Sequence, residues 1–242
     1  MEKDWNNMRN EIAALHAKSK CFQYKLACAR KIIHEAIMKT SQVYVALSGG
    51  KDSTVVYGLL CEYLANPPAV WSDDEWWLPE TKQYIERLQA SGLDVRQIRT
   101  TAWHTDWFTI AGDYDGIPAY AKTQDWRLVL LGLREEESSA RRVHLRTLGA
   151  LFFAQSDNFW HCNPIWDWTW RDVWAYIISN GLDYNRAYDR LEEIGVEPEY
   201  QRIGPFAVER ALNYGQLAIL KRGWPDLFNR FASKHPEARL YV

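Results

Sequence analysis

A chain of 242 residues, 47% hydrophobic and 25% charged, suits one α/β domain with ample core material and excludes a disordered or fibrous protein. Its net charge of −2 gives no overall pull toward DNA, RNA or an anionic membrane, though it leaves a local basic cleft open. Residues 1–10 are polar and charged and no apolar run approaches ~20 residues. The expectation is a chain with no membrane segment and no leader, in a reducing cytoplasm.

Residues 4–40 read as helix, with Ile12, Leu15, Leu26, Ile32, Ile33 and Ile37 as apolar positions. Residues 42–47 read as a first strand, and a helix from Asp52 to about Leu64 stops at Asn66-Pro67-Pro68. A second strand, Ala69–Ser72, runs into Asp73-Asp74-Glu75, and Pro79 sits near the first turn of a helix over Thr81–Ala90. Gly92 ends that helix, and Val95–Arg99 reads as a third strand. Trp103–Thr123 is aperiodic and reads as a long loop or lid. Arg127–Leu133 is a fourth strand, a polar helix starts at Arg134, and Phe159–Pro164 is a fifth strand. Thr169-Trp170-Arg171-Asp172 is a capping box that opens a helix running to about Asn180, before Gly181. From Leu191 the chain reads as mostly helical, broken at Gly204-Pro205 and Gly223-Trp224-Pro225.

Alternating strands and helices imply an α/β fold, a doubly wound parallel sheet with helices on both faces. Ligands of such sheets lie outside the carboxyl ends of the strands. Ser48–Ser53, Ser72–Glu75 and Gly132–Arg142 all follow strands and are expected to converge there.

Cys21, Cys28, Cys61 and Cys162 show no C-x-x-C pair, so no zinc or iron–sulfur cluster is expected. The thirteen tryptophans are expected mostly in packing, with one or two free to stack on a nucleobase. His104, His144 and His161 have no partner legible in the sequence and read as structural or exposed.

The most informative stretch is Val43-Tyr-Val-Ala-Leu-Ser-Gly-Gly-Lys-Asp-Ser-Thr54, an apolar run ending in Ser48-Gly49-Gly50-Lys51-Asp52-Ser53 and passing into a helix. Two glycines let the backbone turn and come close to a ligand. The following helix N-terminus favours a phosphate through its free N–H groups and partial positive charge. Lys51 adds a point charge, and the Ser48 and Ser53 hydroxyls can donate to phosphate oxygens. Asp52 repels phosphate unless it caps the turn or meets a magnesium ion. The Walker pattern is excluded: position 45 is Val, and Asp52 follows Lys51. Farther on, Leu131-Gly-Leu-Arg-Glu-Glu-Glu-Ser-Ser-Ala-Arg-Arg142 carries Arg134, Ser138, Ser139, Arg141 and Arg142. Arginines on a strand-end loop suit a phosphate or sulfate, while the plain alternative is a helix with Glu–Arg pairs such as Glu137–Arg141.

Ser48–Ser53 is similar to the S-G-G-x-D-S pyrophosphate-binding loop (PP-loop) of the ATP pyrophosphatase families. Gly132-Leu133-Arg134 with Glu137-Ser138 and Arg141 resembles the G-x-R-x-x-(Q/E)-S-x-x-R segment of the phosphoadenosine phosphosulfate (PAPS) reductase family. Two more segments resemble that family, Val70-Trp71-Ser72-Asp73 with Leu78-Pro79-Glu80-Thr81, and Asn163–Thr169 through Asp172–Ile177 to Gly181-Leu182 and Tyr184-Asn185. The four matches span residues 43 to about 190 in order. They imply an adenine nucleotide α-hydrolase-like fold, with an N-terminal helical segment over 1–40, a nucleotide-binding α/β domain over 41–190, and a C-terminal helical segment over 191–242 packed on it.

The resemblance implies that Ser48, Gly49, Gly50, Lys51, Asp52 and Ser53 hold the phosphates of ATP or PAPS. Ser72 and Asp73 would lie by the adenosine, with Gly132 and Ser138 also contacting the nucleotide. Lys51, Arg134 and Arg141 would carry the chemistry at the anionic end, and magnesium would be held by Asp52, with Asp73 as the other candidate. One departure weighs against sulfonucleotide reduction: the family's C-terminal E-C-G-(L/I)-H thiol segment is missing, and no cysteine follows Cys162. Three readings stand. The first is cleavage of ATP between the α- and β-phosphates to adenylate an acceptor, a nucleic acid or a partner protein, as in sulfur transfer. The second is PAPS reduction by a thiol from another protein or from Cys162. The third is a non-catalytic nucleotide sensor. A homo-oligomer is compatible with each.

Overall fold

In the computed structural model, which describes residues 5–73, 75–99, 116–156, 158–204 and 215–242, the N-terminal helical stretch is made of two helices. Helix α1 (Trp5–His16) ends and α2 (Lys20–Ile37) begins because Ser19 leaves the helical conformation and caps α2, its hydroxyl accepting from the Phe22 N–H at 3.2 Å. Then follow β1 (Val43–Ala46), α3 (Lys51–Cys61), β2 (Ala69–Asp73), α4 (Pro79–Ala90) and β3 (Val95–Arg99). Next come α5 (Gly116–Thr123), β4 (Leu128–Leu130), a 3-10 turn (Glu135–Glu137), α6 (Ser139–Leu148), β5 (Leu151–Ala154) and β6 (Phe159–Cys162). The chain continues through α7 (Trp170–Ser179), α8 (Ala187–Glu193), α9 (Gln216–Gly223), α10 (Pro225–Lys234) and a final 3-10 stretch (Pro236–Tyr241).

The strands form one sheet in the order β3-β2-β1-β4-β6-β5. All neighbours are parallel except β5, which pairs antiparallel with β6 (Leu151 opposite Cys162, Ala154 opposite Phe159). The expected α/β sheet is present, with this antiparallel edge strand added. Period-two alternation sorts the side chains. Val43, Val45, Leu47, Ala69, Trp71, Leu128, Leu130 and Cys162 join the larger buried cluster, shared with residues of α2, α3, α4 and α7. Tyr44, Val70, Val129 and Phe159 face the other way, with Ala121 of α5 and Trp126. The larger cluster also takes in Ala13 of α1, Leu217 and Leu220 of α9, and Phe228 and Phe231 of α10.

The expected loop Trp103–Thr123 is helical over 116–123, where α5 covers the smaller face, and its first part lies outside the described residues, as does Asp74. Trp71, Trp77, Trp126, Trp168, Trp174 and Trp224 are buried, which matches their expected role in packing. The chain runs β1, β2, β3 to one side, then returns to place β4 on the other side of β1. That reversal opens a crevice at the carboxyl ends of β1 and β4. No helix among the described residues is long and apolar enough to cross a membrane.

Candidate active site

Beyond β1 the chain turns through Ser48-Gly49-Gly50 into α3. Gly49 has φ +72°, and a Cβ there would lie 2.8 Å from Thr81 Cγ2, so the turn requires glycine twice over. Hydroxyls lace the turn together. Ser48 Oγ accepts from the Gly50 N–H (3.3 Å), and Ser53 Oγ donates to the Gly50 carbonyl (3.0 Å) while accepting from the Ser48 N–H (3.2 Å). The outer wall is supplied by distant elements. Asn185 Nδ2 donates to the Gly49 carbonyl (3.0 Å) and to Thr81 Oγ1 (2.8 Å), and Thr54 Oγ1 sits 2.9 Å from the Tyr84 hydroxyl.

The start of α3 is where an anion would be received. The Lys51 N–H donates to the Tyr188 hydroxyl (3.0 Å), whereas the N–H groups of Asp52 and Ser53 meet no acceptor among the described residues. Against them lies Gly132, just after β4. A Cβ on Gly132 would stand 2.7 Å from both Asp52 C and Ser53 N, so only glycine lets the two loops touch.

Four ionic side chains are locked together at this contact. Lys51, 2% exposed, donates to the Gln201 carbonyl (3.1 Å) and to Asp52 Oδ2 (3.3 Å). Arg134, 4% exposed, donates through Nε to Asp52 Oδ1 (2.5 Å) and through Nη1 to Glu136 and the Trp168 carbonyl. Burial and the neighbouring Arg134 guanidinium push the Lys51 ammonium below its ordinary pKa, against the opposing pull of Asp52 and Glu137. Burial works to raise Asp52, but the Lys51 and Arg134 charges outweigh it and hold the carboxyl below the usual carboxylate range. Tyr188 is buried among these groups and stays a neutral phenol, its pKa raised by burial and then by the Asp52 charge.

The arginine loop continues the wall. Glu137 accepts from the Arg134 N–H (3.1 Å) and from Arg141 Nη1, and its own carbonyl accepts from Arg202 Nη2. Ser138 caps α6, accepting from the Arg141 N–H at 3.1 Å. The structure thus gathers Ser48, Gly49, Gly50, Lys51, Asp52, Ser53, Gly132, Arg134, Ser138 and Arg141 around one crevice. Ser72 and Asp73 lie one strand away, at the end of β2. The Ser72 carbonyl accepts from Trp77 Nε1 (2.7 Å), and Asp73 meets Gln97 Nε2 (2.8 Å) and Lys82 Nζ (3.7 Å).

Both Asp52 oxygens already meet cations, so a magnesium ion held there would compete with Lys51 and Arg134. Among the described residues no group of three or more His, Cys, Asp or Glu side chains is assembled as for a metal ion. Thr81 and Asn185 fall in stretches that resemble the PAPS reductase family, so their segments were visible. Tyr188, Gln201 and Arg202 carried no signal, because their contacts with the loop arise only from the path of the chain after α8. A cavity of about 410 Å³ lies elsewhere, between α1, α7 and the segment after α8, lined by Ile12, Trp174 and Val196 among others.

The phosphoadenosine phosphosulfate reductase domain model matches residues 42–211, which hold all of these groups. The chain belongs to this family. An adenosine 5'-phosphosulfate reductase of Anoxybacillus flavithermus is 27% identical over 206 residues, covering 78% of this chain and 80% of that protein. An uncharacterized protein of Methanocaldococcus jannaschii is 24% identical over 243 residues, which is 92% of this chain but 53% of that relative. Among solved structures, the phosphoadenylyl-sulfate (PAPS) reductase of Candida auris in a phosphate complex has a TM-score of 0.57 at 19% identity, covering 74% of this chain and 88% of its own. The FMN adenylyltransferase of Candida glabrata has a TM-score of 0.57 at 14% identity, covering 83% of this chain and 70% of its own. These two likenesses establish the shared fold, a nucleotide α-hydrolase-like sheet.

Within this family member all four cysteines are described, and none stands at the crevice as a thiolate. Cys162 is fully buried where β6 ends, and burial alone drives its thiol pKa far up. Cys61 closes α3 at the end away from the glycine turn, its thiol also raised by burial, and Cys21 and Cys28 lie on α2. Cys162 is therefore removed as the thiol of the reductase reading.

Proposed function

We propose that this PAPS reductase family protein binds an adenine nucleotide, ATP or PAPS, and that with ATP it acts at the α-phosphorus. The reading rests on one observation: the glycine turn at the β1–β4 crevice presents the Asp52 and Ser53 amides beside buried Lys51 and Arg134. With ATP, an acceptor nucleophile attacks the α-phosphorus and the bond to the α,β-bridging oxygen breaks. Pyrophosphate leaves with the electron pair. Lys51, Arg134 and the loop amides meet the charge that develops on it, preorganised in a largely water-excluded wall. The acceptor, a nucleic acid or a partner protein, emerges adenylated.

The relation to an adenosine 5'-phosphosulfate reductase supports sulfonucleotide reduction as a second reading. Burial of Cys162 then requires the thiol to come from another molecule.

The test is to incubate the protein with magnesium and labelled ATP, and separately with PAPS and an added thiol, with and without cell extract. Binding is measured in parallel, and Lys51→Met, checked for folding by circular dichroism, serves as control. Pyrophosphate from ATP, with the adenylyl group on an acceptor or released from it as AMP, is the expected result and is absent with the variant. Sulfite from PAPS selects the second reading, and tight binding without turnover in extract selects a nucleotide sensor. No binding of either nucleotide at millimolar concentration overturns the proposal.

A further inference from the structure

The chain after α8 returns across the crevice, although no sequence motif marks it. Lys51 Nζ donates to the Gln201 carbonyl at 3.1 Å, and the Ile203 carbonyl stands 3.6 Å from where a Cβ on Gly50 would lie. Residues 201–203 therefore run directly over the phosphate loop. Between those two anchors, Arg202 sends its side chain to the opposite wall, where Nη2 donates to the Glu137 carbonyl. Arg202 is half-buried and spans the crevice from the glycine turn to the arginine loop.

Glu137 is the centre of this arrangement. Its carboxylate accepts from the Arg134 N–H and from Arg141, and its carbonyl accepts from Arg202. Three arginines thus meet at one short turn, with the free amides of α3 facing them across Gly132. Assembling like charges in a half-buried wall is unfavourable unless anions share it. The Glu137 carboxylate fills that place for Arg141. A planar guanidinium at the mouth is the donor best matched to a phosphate or sulfate oxygen pair.

We propose that Arg202 is a substrate-binding residue, a third guanidinium that closes on the terminal anionic group of the nucleotide and selects ligands that carry charge beyond the α-phosphate. The assignment rests on the adenine-nucleotide reading above. Arg141, released from Glu137, and Arg202, released from the Glu137 carbonyl, then clamp that group from two sides. AMP, which ends at the α-phosphate, does not reach them.

The experiment is calorimetric titration of the whole chain with ATP, PAPS, inorganic pyrophosphate and AMP, comparing wild type, Arg202→Ala and Arg202→Lys. Thermal melting without ligand reports folding. Loss of a charge-assisted bidentate contact predicts about a tenfold or greater weakening of ATP or PAPS and of pyrophosphate in Arg202→Ala, with AMP changed less than about twofold. Arg202→Lys is expected to restore part of the affinity and to make it more sensitive to salt. Equal weakening of AMP and ATP, or a lowered melting temperature with unchanged affinities, overturns the assignment and leaves Arg202 as a structural clamp on the arginine loop. If wild type binds none of the four ligands, the nucleotide reading itself fails, and the assignment fails with it.

Discussion

Asp52 looks misplaced in a loop proposed to receive phosphate, and its neighbours explain it. Its two oxygens hold Arg134 Nε and Lys51 Nζ, so the carboxylate fixes both cations in one buried cluster. Gly132 is what permits that cluster to form. Replacing it with Ala puts a methyl group 2.7 Å from the Asp52–Ser53 backbone, and no flexible side chain is there to move aside. Gly132→Ala is expected to cost about 1–3 kcal/mol of stability and to abolish nucleotide binding, because the arginine loop must retreat from the α3 amides. Urea unfolding and calorimetric titration check the two effects. Full stability together with full affinity would show that the two loops do not touch.

At the level of elements, the capping box at the start of α7 does more than open a helix. Asp172 accepts from the Thr169 N–H (2.7 Å), as the T-x-x-D spacing predicts, but also from Lys25 Nζ of α2 (2.9 Å), with His16 Nε2 of α1 at 2.7 Å. One carboxylate joins three helices. Burial works to raise its pKa, but the bonds from Lys25, Thr169 and His16 prevail and hold it below the ordinary value of 3.8. A lowered carboxylate contributes stability that is fully present above its unfolded pKa and lost as pH falls through the folded one. Asp172→Asn is therefore expected to destabilise by about 3 kcal/mol at pH 7, with the deficit constant down to about pH 5 and shrinking below 4. Chemical denaturation across that range measures it. A deficit independent of pH down to 2 would rule out the ionised carboxylate as its source. Two elements stayed hidden at this scale. Strand β5 reads Leu-Phe-Phe-Ala, four apolar residues with no alternation, and only its hairpin with β6 makes it a strand. Helix α5 begins Gly116-Ile117-Pro118, weak helix formers whose packing against β2 and β3 overrides propensity.

Over the whole molecule, the N-terminal helix is tied to the end of the family domain by one guanidinium. Arg9 of α1 donates to Glu192 (3.0 Å), Asp189 (3.1 Å) and the Tyr184 hydroxyl (2.7 Å), and lies 4.2 Å from the centre of the Trp174 ring. Burial raises Glu192 above the usual carboxylate value, and Arg9 offsets part of that shift. Arg9→Ala removes the buried cation from beside both carboxylates and is expected to cost about 3 kcal/mol. Because Glu192 without Arg9 takes up a proton more readily, the cost should narrow as pH falls toward 5. Thermal melts at pH 7.5 and pH 5 test this, and an equal loss at both would point to lost packing against Trp174 instead.

Local chemistry determined much of this protein before any fold was known. The glycine pair and the helix that follows gave the tight turn and the exposed helix start on which the phosphate-loop proposal rests, because turn geometry and helix-end amides depend only on adjacent residues. The strand–helix alternation carried the parallel sheet in the same way, and the Thr169–Asp172 spacing carried a helix start. Tertiary structure alone decided which residues surround that loop. Asp52 became an ion-pair partner rather than a lone carboxylate, Cys162 was withdrawn into the core, and Tyr188, Gln201 and Arg202 were brought over the crevice from more than a hundred residues away. Burial and long-range pairing are properties of the folded surface, and neither leaves a period or a motif in the chain.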